Sequence, residues 1–516
     1  MPANPTINRR EFLELCGFSS LLALQKLNAR RWNDPLSNYS TQNPDQPNIL
    51  LLLLDTLSAK DMSLYGHTND TTPWLNELAS KAIVYHNHYT PGNFTSPATA
   101  SLLTGTMPWT HRCFHLHGSV DDKFRSQNIF QLLSPTHATL AGSQNILANI
   151  LLSQFSQNID NLIPTERFAI SGHFLADSFI NDYPVALWSE LLSTSWIRKT
   201  PASLFYSLLL KIDNYNNLMK DAQKFGVVYP RGIPNNYEGM TLTLEHALKA
   251  TGEELSKSHS PYFAYFHYWP PHSPFNPTKE FVGIFDEQAP PTQKPDHFFT
   301  DKSSYDQLVT RRIQYNEFIA NADADLGKQI KLWQKTNLLD NTILIITSDH
   351  GEMNERGIQA HSTRVLYEPI IKIPLLIMMP GQQTRIDIYE NTSSIDLLPT
   401  LLSWTGQSTP VWAEGSVLPP FRNPSFEHSR SIYAMDAQLN SKWQSLKCYS
   451  AVLIKENYKF IHYNGYEGYS DQSELYDLES DPEELKDLSS ELPGLASDLK
   501  RELLEKISEA NQRDFR

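Results

Sequence analysis

Pro47-Asn48-Ile49-Leu50-Leu51-Leu52-Leu53-Leu54-Asp55-Thr56 is an unbroken apolar run that ends in a carboxylate. A strand with one face in water alternates apolar and polar residues, whereas one buried on both faces, as in a parallel sheet, reads as a continuous run like this. Asp55 therefore stands at the C-terminal end of a core strand, the end at which open α/β sheets hold their ligands. Asn341-Thr342-Ile343-Leu344-Ile345-Ile346-Thr347-Ser348-Asp349 repeats the pattern. Two core strands thus deliver acids to one edge of a sheet.

Working outward, Thr72 to Ala79 reads as a helix with Pro73 at its first position, followed by a strand at Ile83-Val84-Tyr85. Ser101-Leu102-Leu103-Thr104-Gly105 continues a helix that Gly closes, and Thr139-Leu140-Ala141 reads as another buried strand. From Ile146 to Tyr237 there is helical periodicity with aromatic residues. Tyr262 to His267 is strand-like, Tyr315 to Gln329 is a long amphipathic helix, and Lys372 to Ile377 adds a strand. This alternation predicts an α/β fold with a doubly wound, mostly parallel sheet flanked by helices. After Pro419 come Tyr-rich strands, Tyr449 to Lys455 and Lys459 to Tyr463, and then an acidic helix. The expected division is a tail at 1–45, a main domain at 46–420 and a smaller α+β domain at 421–516.

The 516 residues carry a net charge of −14, which argues against a nucleic-acid partner. Much of the acidic excess lies between Glu474 and Glu509 and reads as a solvated face. Cys16, Cys113 and Cys448 give neither a disulfide framework nor a paired-cysteine metal site, and Cys113 reads as a small buried hydrophobe. No apolar run is long enough to cross a membrane. Asn8-Arg9-Arg10-Glu11-Phe12-Leu13 with Leu21-Leu22-Ala23-Leu24 reads either as a twin-arginine export signal or as an ordinary amphipathic helix of a cytoplasmic protein.

Oxygen and imidazole donors at the ends of buried strands suit a divalent ion, and Asp55, Asp349 and His350 are the expected ligands. The plainer role for one strand-end Asp is a helix cap or an ion-pair partner. Leu54-Asp55-Thr56-Leu57-Ser58, Asn93-Phe94-Thr95-Ser96-Pro97-Ala98-Thr99 through Leu102-Leu103-Thr104-Gly105, and Ser348-Asp349-His350-Gly351-Glu352 together resemble the sulfatase family of the alkaline phosphatase superfamily. Further echoes are Pro271-His272-Ser273-Pro274-Phe275, Asp396-Leu397-Leu398-Pro399-Thr400 and Glu474-Leu475-Tyr476-Asp477, in family order. The resemblance implies an alkaline-phosphatase-like fold and a metal-dependent hydrolase, or transferase, of phosphate or sulfate esters. Its substrate would be a small-molecule, glycan or lipid-headgroup ester.

The family motif aligns Thr95 with its nucleophile. At a helix N-terminus a Thr oxygen sits in a field that favours an oxyanion, although capping is the commoner task of such a Thr. The family's Cys or Ser is oxidised there to formylglycine, and an Arg follows where this chain has Thr99. Threonine's β-methyl forbids that aldehyde. A threonine alkoxide can still attack phosphorus and give a phosphothreonine intermediate, and relatives with Thr here include phosphodiesterases and phosphoryl transferases. No second Asp follows Asp55, and the Arg near Ser58 is missing. With His350 in place of an amide, manganese or zinc suits the site better than calcium.

His272 matches a family histidine that contacts the ester and protonates its leaving oxygen; otherwise it is a surface turn residue. His361 and Arg364 fall where relatives keep a binder of substrate charge. His111, Arg112, His115 and His117 read equally as substrate contacts or as a solvated loop. Two other functions stay open: a catalytically silent binding protein, and a two-metal phosphodiesterase whose second ion would draw on Asp323, His267, His272 or His361.

Overall fold

The computed structural model describes residues 46–512 apart from 171–174, 176–177, 180–181, 195–201, 236–239, 286–291 and 423–429. The twin-arginine reading at residues 8–24 lies outside the described residues.

An eight-stranded sheet organises the chain. Its strands are β1 (Asn48–Leu54), β2 (Ile83–Tyr85), β3 (Ala138–Ser143), β4 (Asn161–Ile163), β5 (Tyr262–Tyr268), β6 (Thr342–Thr347), β7 (Leu375–Met378) and β8 (Ile386–Ile388). They lie in the order β8-β2-β7-β6-β1-β5-β3-β4. All pairings are parallel except those of β7, which runs antiparallel to both β6 and β2.

β1 shows why its sequence does not alternate. Leu50, Leu52 and Leu54 enter one apolar core, and Ile49, Leu51 and Leu53 enter another on the opposite face. The first core is closed by α6 (Leu244–Leu255) and α7 (Tyr305–Lys335), the second by residues of α2 (Thr95–Thr104), α3 (Ile146–Gln154) and α8 (Leu397–Trp404). In sequence α1 (Pro73–Ala79) precedes these, and α4 (Tyr183–Thr194) and α5 (Leu204–Phe225) lie between α3 and α6. The resulting layers of helix, sheet and helix are the doubly wound fold expected.

The C-terminal part folds as four antiparallel strands, β9 (Ile432–Asp436), β10 (Tyr449–Lys455), β11 (Tyr458–Asn464) and β12 (Gln472–Asp477), packed by α9 (Pro493–Asn511). Not all of the acidic tail is a solvated face, because Glu474 and Glu484 are buried. Glu474 accepts hydrogen bonds from Tyr367 and Tyr476, and Glu484 lies 2.7 Å from Lys459 Nζ. Buried carboxylates persist where such partners meet them. Cys113 is fully buried. Among the described residues no helix is long and apolar enough to cross a membrane.

Candidate active site

Three adjacent parallel strands converge on one point. Leu53 of β1 is in register with Thr347 of β6 and with His267 of β5. Asp55 and Asp349 each lie two residues beyond that level, while His267 stands on it. Donor atoms of Asp55, His267 and Asp349 lie within 4.8 Å of one another, and all three residues are buried. One oxygen of each acid is occupied by the protein: Asp55 Oδ2 accepts from Asn145 Nδ2, and Asp349 Oδ1 accepts from the backbone N–H of His350 at 2.9 Å and of Thr56 at 3.2 Å. Asp55 Oδ1, Asp349 Oδ2 and His267 Nε2 have no hydrogen-bond partner among the described residues. Buried carboxylates this close repel unless a cation joins them, so the orphaned atoms fit a divalent ion.

His350, expected among the ligands, stands beside the three. Its Nε2 lies 3.4 Å from Asp349 Oδ2 and 3.9 Å from Asp55 Oδ1. Nδ1 lies 2.9 Å from the carbonyl of Gly351, so that nitrogen carries the proton and Nε2 presents a lone pair to the site. Burial lowers the pKa of His350, against the pull of Asp349. Gly351 is required by space, since a Cβ there would stand 1.9 Å from the carbonyl oxygen of Pro369.

Thr95 is not the cap of α2. Phe94 occupies the cap position with φ 51°, and Thr95 is the first helical residue. Its Oγ1 receives a hydrogen bond from Asn145 Nδ2 at 3.3 Å and lies 3.4 Å from His350 Nε2. Thr56, following Asp55, likewise has a positive φ of 64°. A β-branched residue rarely adopts this conformation, which costs about 1–3 kcal/mol and is tolerated where surrounding contacts fix it. Both strained residues adjoin a site residue.

His272 is buried and is no surface turn. Its ring centroid lies 4.1 Å from that of Trp269 and 4.9 Å from that of His361, which in turn is 4.6 Å from that of His350. His272 Nδ1 lies 2.7 Å from the carbonyl of Ser273. Burial lowers its pKa, although the Asp55 charge opposes this. His361 differs in having a carboxylate partner, Glu352 Oε2, 2.6 Å from Nδ1. Burial alone would lower the His361 pKa, but Glu352 outweighs it and raises the value. At Asp55 burial favours the neutral acid, yet the imidazoles, His272 foremost, hold the carboxyl below its usual range.

Among the described residues no hydrogen bond or ion pair joins Arg364 to this cluster. Its guanidinium lies over the rings of Phe299 and Tyr466, at 5.4 and 5.3 Å from their centroids. Asp323, a candidate donor for a second ion, is used elsewhere: on α7 it accepts the backbone N–H groups of Trp74 and Leu75 at 2.8 and 2.9 Å, satisfying the N-terminus of α1. His111 is buried against Ser101 Oγ at 2.9 Å, so it belongs to the core rather than to a solvated loop.

The sequence reading left out Asn145 and Glu352 and placed His267 only with a second ion. Asn145 lies two residues past the end of β3, the same strand-end signal that marked Asp55 and Asp349. Glu352 stood within the quoted Ser348–Glu352 stretch. His267 had no such signal, because a histidine inside an apolar strand reads as core.

The chain matches the family model described as Sulfatase over residues 47–142 and 195–407, and the one described as N-sulphoglucosamine sulphohydrolase, C-terminal, over 358–513. It is 23% identical over 482 residues to arylsulfatase K of Bos taurus, covering 89% of this chain and 81% of that protein. It is 26% identical over 475 residues to the multifunctional alkaline phosphatase superfamily protein PehA of Trinickia caryophylli, covering 81% and 86%. Among solved structures, the phosphonate monoester hydrolase of Agrobacterium radiobacter shares the fold with a TM-score of 0.65 at 18% identity, covering 90% of this chain and 96% of that one. The strand-end acids, the segment Asn93 to Gly105 and the C-terminal sheet all fall inside matched segments, and this chain belongs to the sulfatase family.

Proposed function

We propose that this chain is a divalent-metal-dependent esterase that uses Thr95 as its nucleophile, on phosphoric or phosphonic esters ahead of sulfate esters. One observation carries the reading: Asn145 Nδ2 hydrogen-bonds both Thr95 Oγ1 and Asp55, tying the nucleophile to the cluster of acids. Asp55, His267, Asp349 and His350 would hold one ion, and the mixed oxygen and nitrogen donors suit manganese or zinc more than calcium. His267 would supply the donor that the missing second Asp would have given. Bound there, the ion would stabilise negative charge on the Thr95 oxygen and on the ester.

The chain's own groups supply the remainder. The Thr95 hydroxyl first gives up its proton to solvent, and Asn145 Nδ2 and the start of α2 stabilise the resulting oxyanion as it attacks phosphorus. The P–O bond to the alcohol breaks, and His361 Nε2, kept protonated by Glu352, gives its proton to the leaving oxygen. Water then attacks the phosphothreonine, neutral His272 Nε2 takes the proton that the water loses, and the P–Oγ1 bond breaks to return the Thr95 oxyanion. The adjacent rings of His272 and His361 let that proton return. The donor role expected of His272 thus passes to His361. Because Thr95 cannot become formylglycine, the aldehyde-hydrate route for releasing sulfate is closed, although the similarity to arylsulfatase K keeps sulfate esters in the test.

The test is a side-by-side screen of phosphodiesters, phosphonate monoesters, phosphomonoesters and sulfate esters with manganese, zinc or calcium added. Turnover of a phosphorus ester that vanishes in Thr95→Ala, with a phosphate adduct trapped on the Thr95 peptide, is expected. Turnover of sulfate esters alone, or undiminished turnover in Thr95→Ala, would overturn the proposal.

A further inference from the structure

Helix α5 has its polarity inverted. Its buried residues are Ser207, Leu210, Asp213, Asn217 and Asp221, four of them polar or charged. Hydrogen bonds hold this face inward: Asp213 accepts from the Leu175 N–H at 3.1 Å, Asp221 accepts from Thr241 Oγ1 at 2.5 Å, and Ser207 donates to Glu190. The apolar residues face out. Phe205 is 66% exposed, Leu208 56%, Ile212 51%, Tyr215 64% and Met219 47%.

These five positions are spaced three, four, three and four residues apart. That is the heptad spacing of a coiled-coil seam, a stripe that remains on one side of a helix and inserts into the matching stripe of a partner. Exposed Leu204, Val227 and Val228 prolong it at the two ends. Isolated surface hydrophobes need no explanation, but a contiguous stripe on a 22-residue helix marks an interaction surface.

We propose that this stripe is where a second copy of the chain docks, the two α5 helices packing seam to seam about a two-fold axis. Three observations favour this occupant. The exposed fractions amount to several hundred Å² of apolar surface per copy, in the range of the ~800 Å² that each partner contributes to a standard interface. The seam is narrow, which suits another helix, and no charged residue occupies a seam position between Phe205 and Met219. Beside it, the Lys211 charge is met by Glu190 at 3.3 Å within the same copy. A bilayer is the poorer fit, since it would cover a broader face and an anionic one would repel a chain of net charge −14. A contact of this kind is isologous and closes as a dimer.

The experiment is sedimentation velocity on the full chain at micromolar concentration, beside Ile212→Lys/Tyr215→Lys and Leu208→Lys/Met219→Lys. A wild-type dimer that becomes monomeric in both variants, with unchanged circular dichroism and the melting temperature of wild type diluted to monomer, supports the proposal. Three results would overturn it. A monomeric wild type is one, and its pelleting with phosphatidylglycerol vesicles would give the stripe to lipid instead. A dimer that survives both double substitutions would place the interface elsewhere. A melting temperature in both monomeric variants far below that of wild type diluted to monomer would mean that the stripe packs against the chain's own residues.

Discussion

Asn145 Nδ2 lies 3.3 Å from Thr95 Oγ1 and donates to Asp55 as well, while Asn145 Oδ1 accepts the Leu147 N–H at 2.7 Å and caps α3. One side chain therefore serves both the site and a helix, and two substitutions separate these tasks. Asn145→Ala should lose the cap, at about 1 kcal/mol of stability, and also activity. Asn145→Asp retains an oxygen for the cap but loses the N–H and sets a third carboxylate beside Asp55. It should keep its helix and still lose roughly 10²–10³ in kcat, the usual cost of removing an oxyanion donor. Unfolding curves and turnover on the same preparations check this, and an active Asn145→Asp would remove Asn145 from the site.

Metal dependence should be visible in stability. An ion that binds only the folded chain adds about 2.7 kcal/mol at a hundred times its Kd. Chelator should therefore lower the melting temperature, and manganese or zinc should restore it. In Asp349→Asn the response should vanish, while the metal-free variant should melt above the metal-free parent, because one of two facing buried charges is gone. Scanning calorimetry with and without metal measures both effects.

The leaving-group role of His361 has a signature that a structural role lacks. His361→Ala should slow esters of poorly acidic alcohols by about 10²–10⁴, the span of general acid catalysis, and slow nitrophenyl esters much less. Glu352→Gln should follow the same trend more weakly. A uniform loss across leaving groups would assign His361 to binding.

Asp323 links stability to pH far from the chemistry. Burial raises its pKa to about 7, although the N–H groups of Trp74 and Leu75 work against this. An unfolded Asp titrates near 3.9. Between these values the native state binds more protons than the unfolded state, so stability falls as pH rises from about 4 to 7 and is level outside that window. A shift of about three units corresponds to an upper bound of roughly 4 kcal/mol. Asp323→Asn should flatten this part of the profile relative to the parent, as measured by denaturant unfolding from pH 4 to 8.

The sequence disclosed the sheet and the site to different depths. Ile49 to Leu54 and Ile343 to Ile346 could only be strands buried on both faces, so Asp55 and Asp349 were legible as neighbours at one edge. His267 was not, because its place beside them depends on β5 lying next to β1, and periodicity cannot give strand order. The inward polar face of α5 was hidden for a related reason: amphipathic spacing shows that a helix has two faces, while tertiary hydrogen bonds decide which one turns inward. The partner of Asp323 was not legible either, because a carboxylate on a helix carries no mark of the distant N-terminus it serves.

Gly351 gives the last prediction, which joins backbone space to chemistry. It follows Asp349 and His350, its N–H donates to the Ile370 carbonyl at 2.7 Å, and a Cβ would meet Pro369 O at 1.9 Å and Ser58 Cβ at 3.0 Å. Neither backbone can retreat cheaply in a close-packed interior. Gly351→Ala should therefore destabilise the fold by about 1–3 kcal/mol, as overpacking does. It should also shift the Asp349-His350 pair, so metal affinity should fall more than stability alone requires. Metal titration followed by the melting temperature would separate the two, and a variant that binds metal as the parent does would show that the close approach serves packing alone.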